Sequence, residues 1–536
     1  TDMDIVLLVD AGKAGQRLDR LLSEALPDRS RVAVQKAVEA GCCLVDGLPE
    51  TVVSRRMKAG QEVRFSPPEG GTALEAEEGA VDAVWHDAHL LVCHKPAGLT
   101  VHPCPSRPSG TLVQRLLGHF PQLARQEGMR PGIVHRLDKD TSGLLLVALD
   151  EAARLALSGA FARREVRNRY LALVRGVPEA RGVCREAVGR HPTVKTKMAV
   201  VPETRGGKPA HTEWARLWSD PDGAFSLLDL RLHTGRTHQI RVHMAHVGHP
   251  LLGDALYAPA ETARRAPRQM LHAWRLRLRH PLTGEDLRFC CPPPQDFFET
   301  AAVNARRMQR VVLTGNPGSG KSAVCAALQN KGIPVFSADA AVEELYAPGG
   351  EAAGFLARRW GAALLDSRGG VDKKALLALF HERPEVRGEV EELIHALVRD
   401  GIERFWQEAE ARGEACAAAE IPLYYECGWH AGAFSPQPVA VAIRCPRSRR
   451  FARLEATRGW DREKSALIES WQWSAERKET LADLILDNSG DLAALDHAVN
   501  DLTALLAERR AREEAALISR IAALCACDGD PWEENA

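Results

Sequence analysis

His135-Arg136-Leu137-Asp138-Lys139-Asp140-Thr141-Ser142-Gly143 leads straight into an aliphatic run, Leu144-Leu145-Leu146-Val147-Ala148. A run this short and this aliphatic reads as a buried strand. Asp138 then stands at the mouth of that strand, with Arg136 and Lys139 near it in sequence and apolar Leu137 beside it. Partial dehydration next to positive charge prepares a carboxylate to act as nucleophile or base, because nearby cations favour its charged form. A surface loop laced with salt bridges would carry the same residues. The stretch gains meaning only from the rest of the chain.

A second block lies about a hundred residues on: Leu232-His233-Thr234-Gly235-Arg236-Thr237-His238-Gln239-Ile240-Arg241-Val242-His243-Met244, then Gly248-His249-Pro250 and Gly253-Asp254. Taken in this order, the two blocks resemble the signatures of the RluA/RluD family of RNA pseudouridine synthases. Other segments agree. His94-Lys95-Pro96-Ala97-Gly98-Leu99 is similar to the family's Asn-Lys-Pro-x-Gly, with His94 in place of Asn. Arg167-Asn168-Arg169-Tyr170 carries Arg169 where the family usually has Lys. Arg190 to Met198 and Gly207-Lys208-Pro209-Ala210 resemble segments lining the family's substrate groove.

The resemblance implies a mixed α+β domain around a mainly antiparallel sheet, and a reaction needing no cofactor. In that reaction the N1–C1′ bond of a uridine breaks, the uracil turns, and C5 rejoins C1′. The target base must first leave its stack. By resemblance Asp138 is the reacting carboxylate, as nucleophile on the base or as base toward the sugar, and both routes stay open. Arg241 would pair with it, Tyr170 would stack on the base, and Arg136 would fill the space left by the flipped nucleotide. The family points to large-subunit ribosomal RNA as partner. His233, His238 and His243, at spacings of five, invite a metal reading; with no acidic or thiol ligand beside them in a strand-like basic block, it is set aside.

The bulk properties fit. At 536 residues the chain exceeds a single core, and 45% hydrophobic with 26% charged is a globular composition. The net charge of −1 hides an asymmetry: residues 161–290 hold 23 Lys+Arg against 12 Asp+Glu. Such a basic segment suits RNA phosphates. The 13 cysteines are scattered, with no Cys-x-x-Cys pair, and Cys525-Ala526-Cys527 is too closely spaced for a standard zinc site. Reduced thiols in a cytoplasmic protein without a membrane span or signal peptide are expected.

Ahead of the catalytic segment, Gly15 to Leu22 and Ser30 to Val38 read as two amphipathic helices, the second capped by Ser30. Val45-Asp46-Gly47 reads as a strand and turn, and Glu62 to Phe65 as a strand. The pattern resembles the alpha-L RNA-binding module. Pro67-Pro68-Glu69-Gly70-Gly71 reads as a flexible linker.

Farther on, Arg310-Val311-Val312-Leu313-Thr314 leads into Gly315-Asn316-Pro317-Gly318-Ser319-Gly320-Lys321-Ser322. This is a full Gly-x-x-x-x-Gly-Lys-Ser loop between a strand and a helix. Its backbone N–H groups would cradle ATP phosphates, Lys321 would neutralise the β/γ charge, and Ser322 would ligate Mg2+. The following order resembles dephospho-CoA kinase, whose Asp-Ala-Asp stands here as Ser337-Ala338-Asp339. Asp339 is then the candidate base for the acceptor hydroxyl, or a Mg2+ partner. Ile394-His395-Ala396 replaces the family's Leu-His-Pro, making His395 an acceptor-binding candidate, and Pro422-Leu423-Tyr424-Tyr425-Glu426 replaces Pro-Leu-Leu-Phe-Glu. Arg453 and Arg458 match the family's lid arginines loosely. Dephospho-CoA is the implied acceptor; another small-molecule kinase, or a domain that only binds nucleotide, remains open.

The expected organisation is therefore an α+β RNA-binding module at 1–66, a linker at 67–80 and an α+β, mainly antiparallel synthase domain at 81–298. A linker at 299–308 follows, then an α/β P-loop kinase with parallel sheet and helical lid at 309–510, and an exposed tail at 511–536. Asp138, Arg241 and Tyr170 together argue against an RNA-binding protein without catalysis. Nothing in the sequence gives a chemical reason to couple the two reactions.

Overall fold

The computed structural model describes residues 5–26, 31–66, 74–104, 107–126, 128, 130–194 and 196–527. It divides into two compact units, Thr1–Ala305 with Leu517–Ala536, and Arg306–Ala516.

At the start of the first unit, helices Leu18–Ala25 and Arg31–Glu39 pack on a sheet of order Ile5–Leu8, Glu62–Phe65, Cys43–Val45, Leu48–Pro49. Leu18, Leu21 and Leu22 meet Val34, Val38, Val63 and Phe65, the apolar stripes that the 3–4 spacing sets up. The first helix begins at Leu18 rather than Gly15. Gly15 is left-handed (φ 84°) with its N–H on the Met57 carbonyl, and Arg17 bridges to Arg56 in extended pairing. Asp46 and Gly47 are both left-handed (φ 52° and 80°), as a two-residue hairpin turn requires. The Ser30 cap and the Pro67–Gly71 linker lie outside the described residues.

Among the described residues nine strands form the main sheet of this unit. Their order is Asp82–His86, Leu90–Lys95, Ser142–Ala148, Leu271–Arg279, Arg167–Arg175, Phe225–Leu232, Thr212–Ser219, Arg181–Cys184, with Asp286–Cys290 paired to Leu271–Arg279. Every ladder is antiparallel except that of Ser142–Ala148 with Leu271–Arg279. The aliphatic run is buried on both faces, which is why it does not alternate. Leu145 and Val147 pack with Leu112 and Leu116, while Leu144 and Leu146 pack with Ala153 and Leu157. Gly143 (φ 119°) lets the parallel pairing start: a Cβ there would lie 2.2 Å from the Ala273 carbonyl oxygen.

Three connecting segments differ from expectation. The end of the 67–80 linker docks on helix Leu112–His119, where Glu77 accepts from Gly110 N–H (2.8 Å) and Gln114 (2.7 Å). The 299–308 link is largely the helix Gln295–Ala305, with Phe297 and Ala301 fully buried. The tail continues the helix Leu492–Leu524. Its Ile521 and Cys525, four apart on one face, bury against Phe297 and Ala301, and Cys527 is disulfide-bonded to Cys290. The thiols are therefore not all free. A separation of 237 residues conceals that pairing in the sequence. Asp528–Glu534 lie outside the described residues.

In the second unit, five strands among the described residues run parallel in the order Val335–Ser337, Cys416–Glu420, Gln309–Thr314, Val439–Arg444, Leu484–Asp487. The long helix Pro384–Ala411 buries Val386, Val390, Ile394, Val398 and Ile402, one residue per turn. Among the described residues no helix is long and apolar enough to cross a membrane.

Candidate active sites

The first site is a cavity of about 550 Å3 at the base of the Asp138 strand. Asp138, Arg136, Tyr170, His238 and Arg241 line it together. The loop bearing Asp138 is pinned from below by Lys95. This buried ammonium donates to the carbonyls of Pro96 (2.8 Å), Leu99 (2.8 Å) and Lys139 (2.9 Å). Burial pushes Lys95 down to about 7, against the opposing charge of Asp140 and Asp138. Lys95 is thus a positioning residue of the Lys-Pro-x-Gly block.

The cation beside Asp138 is Arg241. Its Nη1 donates to Asp138 Oδ2 at 2.9 Å, while Nε and Nη2 donate to the two oxygens of Asp254 at 2.8 Å each. Asp254 is fully buried and also accepts the N–H of Leu256 (3.0 Å) and Tyr257 (3.2 Å). Burial opposes the charge on Arg241; the hydrogen bonds and charge of Asp254 and Asp138 more than offset it and raise its pKa. A guanidinium held at two points by a buried carboxylate offers its third donor in a fixed direction. Arg136, expected to flank Asp138, instead hydrogen-bonds the Thr237 hydroxyl. Arg169 pairs with Asp229.

Tyr170 is buried in the strand Arg167–Arg175. Burial, then the Asp138 charge, raises its pKa, so the hydroxyl stays protonated. His238, left-handed at φ 56°, precedes the helix Gln239–His246. Its Nδ1 is 2.7 Å from the Tyr257 hydroxyl, which accepts the Met198 N–H at 2.9 Å, and its Nε2 is 3.8 Å from Asp138. The Tyr257 hydroxyl thus holds the ring through Nδ1 and leaves Nε2 toward Asp138. Burial lowers the His238 pKa despite the carboxylate, in keeping with a neutral ring.

The segment 239–246 is a helix, not the strand its alternation suggests. Ile240 and Met244 enter the main core, and Val242 enters a separate cluster. Gln239, Arg241 and His243 are also buried, each on polar partners. A helix buried all round shows no polar face to reveal its period. The three histidines of this block go separate ways. His243 lies between Thr212 Oγ1 and the Glu186 carbonyl at 2.9 Å each, and His233 Nε2 faces Glu213 at 3.0 Å. His233 therefore does have a carboxylate beside it, delivered by a neighbouring strand.

The second site is the turn Gly315–Lys321 between strand Gln309–Thr314 and helix Lys321–Asn330. Ser322 stands in the first turn of that helix. Gly318 and Gly320 are left-handed, and a Cβ on Gly320 would lie 2.1 Å from Asn488 Nδ2. Asn488 Nδ2 and Arg453 Nη1 both donate to the Ser319 carbonyl, at 2.8 and 3.3 Å. Lys321 Nζ folds back on the Gly315 carbonyl at 3.0 Å. Burial lowers the Lys321 pKa, with Glu420 and Asp339 opposing. Arg458 stacks on Trp460 at 5.1 Å. His395 Nε2 lies 3.7 Å from Cys427 Sγ, in the segment that follows Pro422-Leu423-Tyr424-Tyr425-Glu426.

Two residues here escaped the sequence reading. Glu420 ends strand Cys416–Glu420, in register with Leu313 just before the loop, and accepts from the Ser337 hydroxyl at 3.2 Å. An acid terminating a buried strand was the available signal. Ser337, in place of the family's acid, thus orients another acid. Lys478 is buried and donates to the Pro422 carbonyl (3.0 Å) and Glu426 (2.9 Å).

Such geometry defines an RNA-modifying isomerase joined to a P-loop phosphotransferase. A family model described as RNA pseudouridylate synthase matches residues 89–246, and one described as dephospho-CoA kinase matches residues 309–494. The chain is 43% identical over 293 residues to a protein named as an uncharacterized RNA pseudouridine synthase of Chloroflexus aurantiacus, covering 54% of this chain and 91% of the relative. It is 42% identical to ribosomal large subunit pseudouridine synthase D of Nitrosomonas europaea, covering 55% and 86%. Among solved structures, dephospho-CoA kinase from Campylobacter jejuni is 19% identical with a TM-score of 0.28, covering 37% of this chain and 97% of that one. The chain belongs to the RNA pseudouridine synthase family and carries a dephospho-CoA kinase domain behind its synthase domain.

Proposed function

We propose that the first site converts a uridine of large-subunit ribosomal RNA to pseudouridine with Asp138 as the reacting carboxylate. The observation that carries this reading is the Asp138–Arg241 pair in the cavity, fixed from behind by Asp254. An anchored guanidinium stabilises the ionised carboxylate without consuming the oxygen that faces the base. Tyr170 supplies an apolar ring with a protonated hydroxyl, against which the flipped uracil stacks. Arg136, exposed at the mouth, takes the place the base vacates. The ribosomal target rests on the name of the Nitrosomonas relative. The module at 5–66 holds RNA, its Arg55, Arg56 and Lys58 meeting phosphates. The isomerisation needs no cofactor: the N1–C1′ bond is exchanged for C5–C1′ and the C5 proton for one on N1, with no net change of atoms or electrons.

The second site transfers the γ-phosphoryl group of ATP to the 3′-hydroxyl of dephospho-CoA. Gly315–Ser322 cradles the phosphates, with Ser322 and Glu420 on the Mg2+ side, and Asp339 accepts the hydroxyl proton. Mg2+ would supply charge neutralisation on the phosphates. Arg453 and Arg458 face the transferred group, and His395 the acceptor. Both reactions belong to the cytoplasm, where ATP and ribosomal RNA are found.

The test uses the full chain. Unmodified ribosomal RNA is incubated with wild type and Asp138→Asn, and pseudouridine is quantified by nucleoside chromatography. Loss of about a thousandfold or more is expected, with CoA formation from Mg-ATP and dephospho-CoA unchanged. Isomerisation retained in Asp138→Asn overturns the site. Phosphorylation of AMP or pantothenate, but not dephospho-CoA, overturns the acceptor.

A further inference from the structure

Two adjacent strands place three potential ligands on one face of the main sheet. His211 and Glu213 are two residues apart at the start of Thr212–Ser219, and His233 follows the end of Phe225–Leu232. Glu213 is opposite Arg231, and the His233 N–H bonds to the His211 carbonyl at 3.1 Å, so the period of two brings the three side chains together. The imidazoles stack at 4.1 Å, only 14° from parallel. Both Nε2 atoms are shut off from water. What faces each is a Glu213 oxygen, at 3.2 Å from His211 and 3.0 Å from His233. Two water-excluded imidazole nitrogens thus share a single carboxylate, a ligand set of two nitrogens and one carboxylate.

We propose that His211, Glu213 and His233 form a site for one divalent transition-metal ion, with Zn2+ the chemical fit, at the rim of the synthase cavity. His233 itself lines that cavity. The three ligand atoms lie within 4.8 Å of one another. Ligands about 2.0–2.2 Å from a tetrahedral zinc stand about 3.3 Å apart, close to the two nitrogen–oxygen separations here. Imidazole and carboxylate together suit Zn2+ over the oxygen-seeking Mg2+ and Ca2+. Binding turns the two rings about χ2 out of their parallel stack, so that both Nε2 lone pairs converge on the ion. Three protein ligands leave a fourth position for water or a phosphate oxygen of the RNA.

Full-length protein is stripped with EDTA under reducing conditions and titrated with Zn2+ by calorimetry, beside Glu213→Gln and His211→Asn/His233→Asn. Melting curves confirm that the variants fold. Wild type is expected to bind one ion more than the double variant, at micromolar affinity or tighter, and Glu213→Gln to bind that ion at least tenfold more weakly. Co2+ in its place is expected to show ligand-field bands lacking thiolate charge transfer, lost in the double variant. Equal stoichiometry in wild type and variants, or a spectrum of thiolate character that the substitutions do not alter, overturns the proposal.

Discussion

Arg241 serves two carboxylates, and the fully buried one aims it at the one that lines the cavity. Asp254→Asn leaves Asp138 and the cavity in place while loosening two of the three hydrogen bonds that aim the guanidinium. Outer partners of this kind are worth roughly 10- to 100-fold. Single-turnover pseudouridine formation should fall by about that factor with RNA affinity unchanged; an unaltered rate would show that Arg241 needs no anchor. Glu420→Gln should likewise lower CoA formation by about 100-fold or more while ATP still binds, because the acid beside the phosphate loop acts on the metal-bound state. Equal loss of ATP affinity would assign it a purely structural role. The contrast with the sequence is instructive at this scale. Asp138, Tyr170 and Arg241, which line one cavity, and the phosphate loop were legible because each stands in a motif of its own. Asp254 stood in a quoted motif without a role, and Glu420 in no motif, because the partners they hold, Arg241 and Ser337, come near them only by folding.

At the scale of elements, the N-terminal module depends on one buried charge. Asp19 is fully buried and accepts hydrogen bonds from Arg17, Arg31 and Gln35. Burial raises its pKa, but these three partners overcome that effect and hold it well below the usual carboxylate range. A depressed folded pKa contributes stability that is complete above the unfolded value, about 4, and drains away as pH falls below it. Asp19→Asn should therefore destabilise the module by about 1–3 kcal/mol at pH 7, a modest figure because both arginines are half exposed. Urea unfolding at pH 7 and pH 3 checks this: the difference from wild type should shrink at the lower pH. A constant difference would refute the charge-based account. The two helices here were legible because their apolar stripes face one core. Gln239–His246 was not, because Gln239, Arg241 and His243 are buried as thoroughly as its apolar residues.

For the whole molecule, Lys321→Ala should abolish phosphoryl transfer and leave pseudouridine formation within about twofold, since each unit has its own core and its own site. A matching fall in RNA modification in a folded variant would reveal coupling. Reducing Cys290–Cys527 should raise proteolysis in 517–527 while Ile521 and Cys525 retain their burial against Phe297. Digestion patterns identical with and without reductant would mean that packing alone secures the segment. The two enzymes and their fusion could be recognised from their motifs, but the return of 517–527 to the first unit could not. The second junction is a half-buried helix end and a cysteine pair far apart in the chain, neither of which leaves a periodic mark.

That junction has a consequence for how the gene can be cut. The polypeptide leaves the first unit at Ala305 and re-enters it at Leu517, so the kinase is written as a parenthesis inside the synthase, not as a second sentence after it. A stop codon after Ala305 would deliver the synthase motifs intact yet leave the groove along Phe297 and Ala301 bare of its final turns. A first unit expressed without the parenthesis keeps those turns only if 517–527 is retained along with 1–305.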